Sequence, residues 1–178
     1  MNKRKFVDFS ELYKALDRLM TQRLPETKLC YEIGKAICSR SEKGAAVMAS
    51  EYLRKQYPEK TGFSPRNVRR MRDFCHAYET EQALTAIALK IKWTLNVIIL
   101  ENCGSPEERG WYLRQVYLHK WKKSELVNAI SSQACLKHSL DLQPDFCYTE
   151  EKEMSQESEC DEEDTICVYR KYLQRPYG

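Results

Sequence analysis

Through the first three quarters of the chain, apolar residues recur at spacings of three and four, the period of an amphipathic helix rather than the alternation of a strand. Leu12, Ala15, Leu16 and Leu19 predict a helix from about Ser10 to Arg23. Pro25 ends it and opens a second through Ile37, with Leu29, Ile33 and Ile37 on one stripe. A third, from Lys43 to Tyr57, carries Val47, Tyr52 and Leu53 on an otherwise polar surface, and Pro58 with Thr61-Gly62 closes it. Ser64-Pro65 is a cap followed by a first-turn proline, so a fourth helix is expected over Pro65–Tyr78. Thr80 is expected to cap a short helix through Leu89, and a tryptophan-led segment follows from Trp93 to Leu100. Ser105-Pro106-Glu107-Glu108 joins cap, proline and capping-box glutamate, the clearest start in the chain. Its helix is expected to bury Trp111, Val116 or their neighbours, before a last helix from about Lys123 to Ser132.

Seven or eight helices and no strand pattern give an all-α fold, a multi-helix domain over residues 1–142 that includes a helix-turn-helix-like pair. Beyond Leu142 the periodicity decays. Residues 143–178 read as an acidic, poorly ordered linker followed by a basic, aromatic end, ICVYRKYLQRPYG. Only six glycines and six prolines in 178 residues leave too few turns for a sandwich or barrel. The basic N-terminus has no apolar stretch behind it, and apolar runs as short as Val97–Leu100 cannot cross a bilayer. The cytoplasm is therefore the expected location, with no membrane partner.

Charge divides the chain. Residues 145–164 hold ten carboxylates against Lys152 alone, whereas residues 1–144 hold 25 lysines and arginines against 16 carboxylates, a net of +9. A basic body implies an anionic partner, and the acidic tail is a competitor for the same surface. The eight cysteines include no C-x-x-C pair, and Cys30, Cys38 and Cys75 stand beside apolar helical positions, which points to reduced structural thiols. Cys135-x-x-His138 with Cys147 is the one thin metal pattern, and it lacks a fourth ligand. No Gly-rich phosphate loop, Ser/His/Asp set or Cys/His nucleophile pair is present, so neither catalytic residue nor cofactor is expected.

The candidate binding surface is the Pro65–Tyr78 helix. At 100° per residue Val68, Met71, Phe74, Cys75 and Tyr78 form its apolar stripe. Arg66, Arg69, Arg70 and Asp73 lie opposite, with Arg72 and His76 on the flank. Arginines near a helix start oppose the dipole, whereas an anion bound there is favoured, and the guanidinium suits phosphate and guanine edges. Lys55, Lys60 and Thr61, just ahead of the helix, extend the patch. The competing structural reading is a solvated face with Arg69–Asp73 and Arg70–Asp73 pairs. Asn67, at the edge of the stripe, reads as structural, holding a neighbouring backbone group. Trp93, Trp111, Tyr112 and Trp121 are candidate stacking surfaces, although their aliphatic neighbours favour core roles.

LCYEIGKAI, GFSPRNVRRMRDFCHAY and KWTLNVIILENCGSPEERGWYLRQV, with a later W-x(4)-L, stand in that order over about residues 10–132. Together they resemble the N-terminal helical domain of YhcG-like proteins, a family of PD-(D/E)xK-type nucleases. The resemblance implies a DNA-binding helical domain whose nuclease chemistry belongs to a separate C-terminal domain. It maps the G-F-S-x-R-N motif onto Gly62, Phe63, Ser64, Arg66 and Asn67, and M-R-x-F onto Met71, Arg72 and Phe74. Two departures stand out. The family's L-P-W-x-H reads Ile91-Lys92-Trp93-Thr94-Leu95, without the histidine, and the serine after the late tryptophan is Lys122.

Pro144-Asp145 followed by Glu150-Glu151-Lys152 spells PD…ExK, but four intervening residues in a strand-poor tail cannot preorganise a metal site. The chain is thus expected to end before any nuclease domain. The expectation is a non-catalytic module binding nucleic acid, duplex DNA above all, through Arg66, Arg69, Arg70, Arg72, Lys60, Thr61 and Lys55. The alternative is a protein-interaction or oligomerisation module, with a second copy or a separate nuclease subunit as its partner.

Overall fold

The computed structural model describes residues 8–136, and all regular structure among them is helical. The elements are α1 (Ser10–Thr21), α2 (Glu26–Cys38), α3 (Ala45–Gln56), α4 (Pro65–Tyr78), α5 (Gln82–Lys90), α6 (Trp93–Asn102), α7 (Pro106–His119) and α8 (Lys123–Ser131). The acidic stretch, the PD…ExK sequence, the basic-aromatic end and the Cys135/His138/Cys147 set all lie wholly or partly outside these residues.

The expected helices are present, with shifted ends. α1 stops at Thr21, two residues short of Arg23, and α6 runs two residues past Leu100. Thr80 does not cap α5; Glu81 holds that position, and the nearby hydroxyl that bonds is Thr85, which donates to the carbonyls of Tyr78 and Glu81. At α7 the Ser105 hydroxyl accepts from the Glu108 N–H as expected, while the Glu108 carboxylate reaches one residue further back, to the N–H of Gly104.

The centre of the fold is the crossing of α2 on α4. Cys30, Ile33 and Ile37 of α2 and Val68, Met71, Phe74 and Cys75 of α4 are all buried. Between them lies Gly34, where an added Cβ would fall 2.1 Å from the Met71 carbonyl oxygen. No side chain fits in that space, so glycine sets how closely the two backbones approach. α3 packs on α4 by small residues. Ala45, Ala46, Ala49 and Ser50 are buried with Leu53, whereas Val47 and Tyr52, expected on this stripe, are only half-buried. Tyr52 turns instead toward α1, stacking on Tyr13 with centroids 4.1 Å apart and donating a 2.7 Å hydrogen bond to Asp17. Tyr57 donates to the other oxygen of the same carboxylate. Both phenols are held above their ordinary pKa, Tyr52 at about 12, chiefly because each donates to that anion.

An aromatic cluster joins α4 to its neighbours. Phe74 meets Tyr31, Tyr78 and Trp93 edge-on, with centroids 5.2–6.0 Å apart. On α7, Tyr112, Leu113 and Val116 are buried and Trp111 is half-buried, so the neighbours of that tryptophan, not its own ring, fill the core. Leu126 of α8, the leucine of W-x(4)-L, is fully buried. No described helix is long and apolar enough to cross a membrane.

Candidate nucleic-acid interface

α4 is positioned by its first turn. Gly62 adopts φ +92°, a left-handed conformation that a side chain would strain, and turns the chain into the helix. Phe63 is buried, and its carbonyl accepts from the Ser50 hydroxyl at 2.7 Å, tying the turn to α3. The Ser64 hydroxyl caps the Asn67 N–H. The Asn67 amide then works in two directions, donating to the Gly62 carbonyl at 2.6 Å and accepting from the Trp93 indole at 3.1 Å. Asn67 therefore locks the turn to both α4 and α6, the structural role expected of it.

The outward side of α4 carries the four arginines with no acidic residue in the first turn. They are not equivalent. Arg70 directs Nε and Nη2 onto Oε1 of Glu101, at 2.8 and 2.6 Å, and its side chain is 25% exposed. Arg66 reaches the same oxygen at 3.4 Å and stays 75% exposed. Arg72 pairs with Asp73, its sequence neighbour. Arg69 is exposed and makes no ion pair among the described residues. The expected Arg69–Asp73 and Arg70–Asp73 pairs do not form, because Glu101 from α6 takes Arg70 and Arg72 takes Asp73.

Glu101 is the residue that sequence reasoning missed. It stands in the last turn of α6, which has no basic residue of its own, so its charge adds to the negative end of that helix dipole. Arg70 and Arg66 supply the missing cation. Hydrogen bonding from Arg70, then the charges of both arginines, hold the Glu101 carboxyl below its ordinary pKa. Helical periodicity gives no sign of a pair between residues 31 positions apart.

The residues ahead of α4 are dispersed in role. Lys60 donates to the Met20 carbonyl at 3.1 Å and lies 5.6 Å from the Tyr57 ring centroid, so it closes the C-terminal end of α1. Lys55, in the last turn of α3, and Thr61, in the connection, are exposed. The connection from α3 to α4 spans residues 57–64, longer than the three or four residues of a tight helix-turn-helix. Beside Arg72 a cavity of about 590 Å³ is lined by Arg40, Lys43 and Arg72 but also by Glu42, Asp73 and Glu79. Its balanced charges give it no preference for an anion.

Each piece of GFSPRNVRRMRDF thus has a distinct place: turn, buried anchor, cap, lock, exposed arginine, core. A family model described as DUF1016 N-terminal domain matches residues 6–137. The chain belongs to this family. The match agrees with the resemblance to the N-terminal domain of YhcG-like proteins, and no nuclease domain is among the matches. No curated protein and no solved structure matches the chain.

Within this DUF1016 N-terminal domain, the buried thiols behave as small hydrophobes. Burial pushes Cys30, Cys75 and Cys103 up to about 12, so they are neutral and unreactive at pH 7. No cluster of metal-ligating side chains occurs among the described residues. The four aromatics divide. Trp93 and Tyr112 are buried core residues, as their neighbours implied, whereas Trp111 and Trp121 are half-buried.

Proposed function

We propose that this domain binds nucleic acid, duplex DNA in particular, through the outward face of α4, and that it contributes no catalytic group of its own. What carries the reading is the pairing pattern on that face. Arg69 has no described ion-pair partner, Arg66 is 75% exposed with only a long contact, and the helix start beneath them lacks an acidic residue. Arg66 and Arg69 make the first phosphate or groove-edge contacts. Arg70 joins when a phosphate replaces Glu101, while Arg72, Lys55 and Thr61 extend the surface. Lys60 contributes field rather than contact, since its ammonium is engaged by α1. The resemblance to the YhcG-like N-terminal domain supports the same ligand class.

The test is a gel shift of the full chain on a short duplex, with Arg66→Ala/Arg69→Ala against the parent. Loss of two charge-assisted phosphate contacts predicts at least tenfold weaker binding, on the order of 1–2 kcal/mol for each contact. Equal retention by parent and variant rejects the assignment.

A second reading has its own observation. Leu118, Val127 and Leu136 are exposed large apolar residues on and after α7 and α8. They favour a protein-interaction or self-association surface there. A dimer insensitive to salt, with no retention on DNA, would put that reading first.

A further inference from the structure

A cavity of about 400 Å³ lies between the α5–α6 connection and the α7–α8 connection, at the end of α6 remote from Glu101. We propose that it is a nucleotide site, holding one phosphate among its lysines and one base against its aromatic wall. The volume falls within the range of small-molecule sites, roughly 300–1,000 Å³.

Three features of the lining define the ligand. The first is charge: Lys90, Lys92, Lys120, Lys122 and Lys123 surround the cavity, and no carboxylate lines it. None of the five ammonium groups has an ion-pair partner among the described residues. The nearby carboxylate, Glu125, is engaged by the backbone N–H of Lys122 at 2.5 Å. Gathered around one space, these five lysines, all exposed, raise the local positive field, and a bound anion lowers it. Two helices also begin here, α6 after Lys92 and α8 after Lys122, and α6 has neither an acidic first turn nor a side-chain cap. The α6 dipole adds to the field of the lysines, whereas Glu125 in the first turn of α8 offsets that of α8.

The second feature is a flat aromatic surface. Tyr117 and Trp121 line the cavity. Lys120 and Lys90 sit over the Tyr117 ring, 4.4 and 5.8 Å from its centroid, which fixes two ammonium groups at the rim. The Trp121 ring is braced by Trp111 at 6.3 Å and His119 at 6.2 Å, yet remains half-exposed. The third feature is an apolar floor of Ile91, Leu95 and Val116, each under 10% exposed. The wall that carries Ile91 is rigid. The Thr27 hydroxyl and the buried Asn96 amide both donate to the Ile91 carbonyl, and Asn96 also holds that of Ala88.

A bare phosphate would use the lysines and leave floor and rings idle. An acidic peptide fits only where an aromatic side chain stands beside its carboxylates, whereas a nucleotide joins the anion and the flat ring in one small molecule. Lysine suits such an anion because its compact, rotatable charge accepts many phosphate orientations, and a base stacks on tryptophan without sequence preference. The nucleotide is either free or the 5′ end of a strand.

Calorimetric titration of the full chain at low salt, with AMP as probe, tests the site. Lys92→Ala/Lys122→Ala and Trp121→Leu are each expected to weaken AMP by about tenfold or more, with circular dichroism melting confirming that both variants fold. Inorganic phosphate is expected to bind at least about tenfold more weakly than AMP. Comparing a 5′-phosphorylated single-stranded oligonucleotide with its 5′-hydroxyl form separates the sources. A preference for the phosphorylated strand over AMP assigns the site to strand ends, and the reverse order assigns it to free nucleotide. The proposal is independent of the α4 reading, since Arg66→Ala/Arg69→Ala should bind AMP as the parent does. It is overturned if neither AMP nor the phosphorylated strand binds. Equal binding of phosphate and AMP with Trp121→Leu indifferent, or tighter binding of hexaglutamate than of AMP, also overturns it.

Discussion

Single side chains decide which part of α4 is available to a ligand. Glu101 holds Arg70 by two hydrogen bonds to one oxygen and draws Arg66 toward the same atom, so it competes with any phosphate for both. Replacing it, Glu101→Gln, should strengthen binding of a short duplex about two- to fivefold at low salt, since an exposed pair of this kind contributes only about 0.2–1 kcal/mol. Filter binding of variant and parent checks this, and weaker binding by the variant would show that the pair orders the arginines for the ligand instead. The carboxyl is held below its ordinary value of 4.5, so the contribution of this pair to stability is present above that pH. It is lost as pH falls through the lower folded value. Denaturation of Glu101→Gln should therefore lack this part of the acid-limb loss.

Asn67 is a different kind of residue. Its amide satisfies both the Gly62 carbonyl and the Trp93 indole, and no other described side chain bonds to either. Asn67→Ala should cost about 1–3 kcal/mol by leaving the indole N–H of the buried Trp93 unpaired and freeing the turn at Gly62, read as a lower midpoint in urea with an unchanged slope. An unchanged midpoint would mean that water replaces the amide without loss.

At the level of elements, the chain pattern predicts most of how α4 is built. Its start, apolar stripe and outward arginines followed from period and capping alone, because local chemistry sets each of them. What the pattern could not convey was pairing between elements. Arg70 with Glu101, Tyr52 with Asp17 and the lysine-lined cavity all join residues far apart in sequence. α3 misled for a related reason: its core face is built of alanines and Ser50, whose burial reflects close packing rather than hydrophobicity. Gly34 is the sharpest instance. In a helix it reads as a weakness of about 1 kcal/mol relative to alanine, yet the α2–α4 crossing leaves no room for a methyl group. Gly34→Ala should therefore destabilise the domain by about 2–4 kcal/mol, since backbone rather than a flexible side chain must move. Thermal melting measures the effect; stabilisation by the better helix former would contradict the crossing geometry.

For the molecule as a whole, the two surfaces proposed to bind anions stand at opposite ends of α6. Glu101, the partner of Arg66 and Arg70, lies in the last turn, and Lys92 and Thr94 of the cavity lie at the first. The rise along seven residues of helix separates these ends by roughly 10 Å. Residues 1–144 carry a net charge of +9, so any polyanion is attracted to some degree. Retention on DNA alone therefore does not identify the binding face. The dependence of affinity on salt does, because each phosphate contact releases counterion in proportion. The most direct measurement is the duplex affinity of the full chain across a salt series, for the parent and for Arg66→Ala/Arg69→Ala. The proposed function predicts that the slope of log affinity against log salt becomes shallower by about two in the variant, close to one unit for each lost phosphate contact. Parallel slopes, with affinities unchanged, would contradict the claim that α4 is the surface that meets DNA.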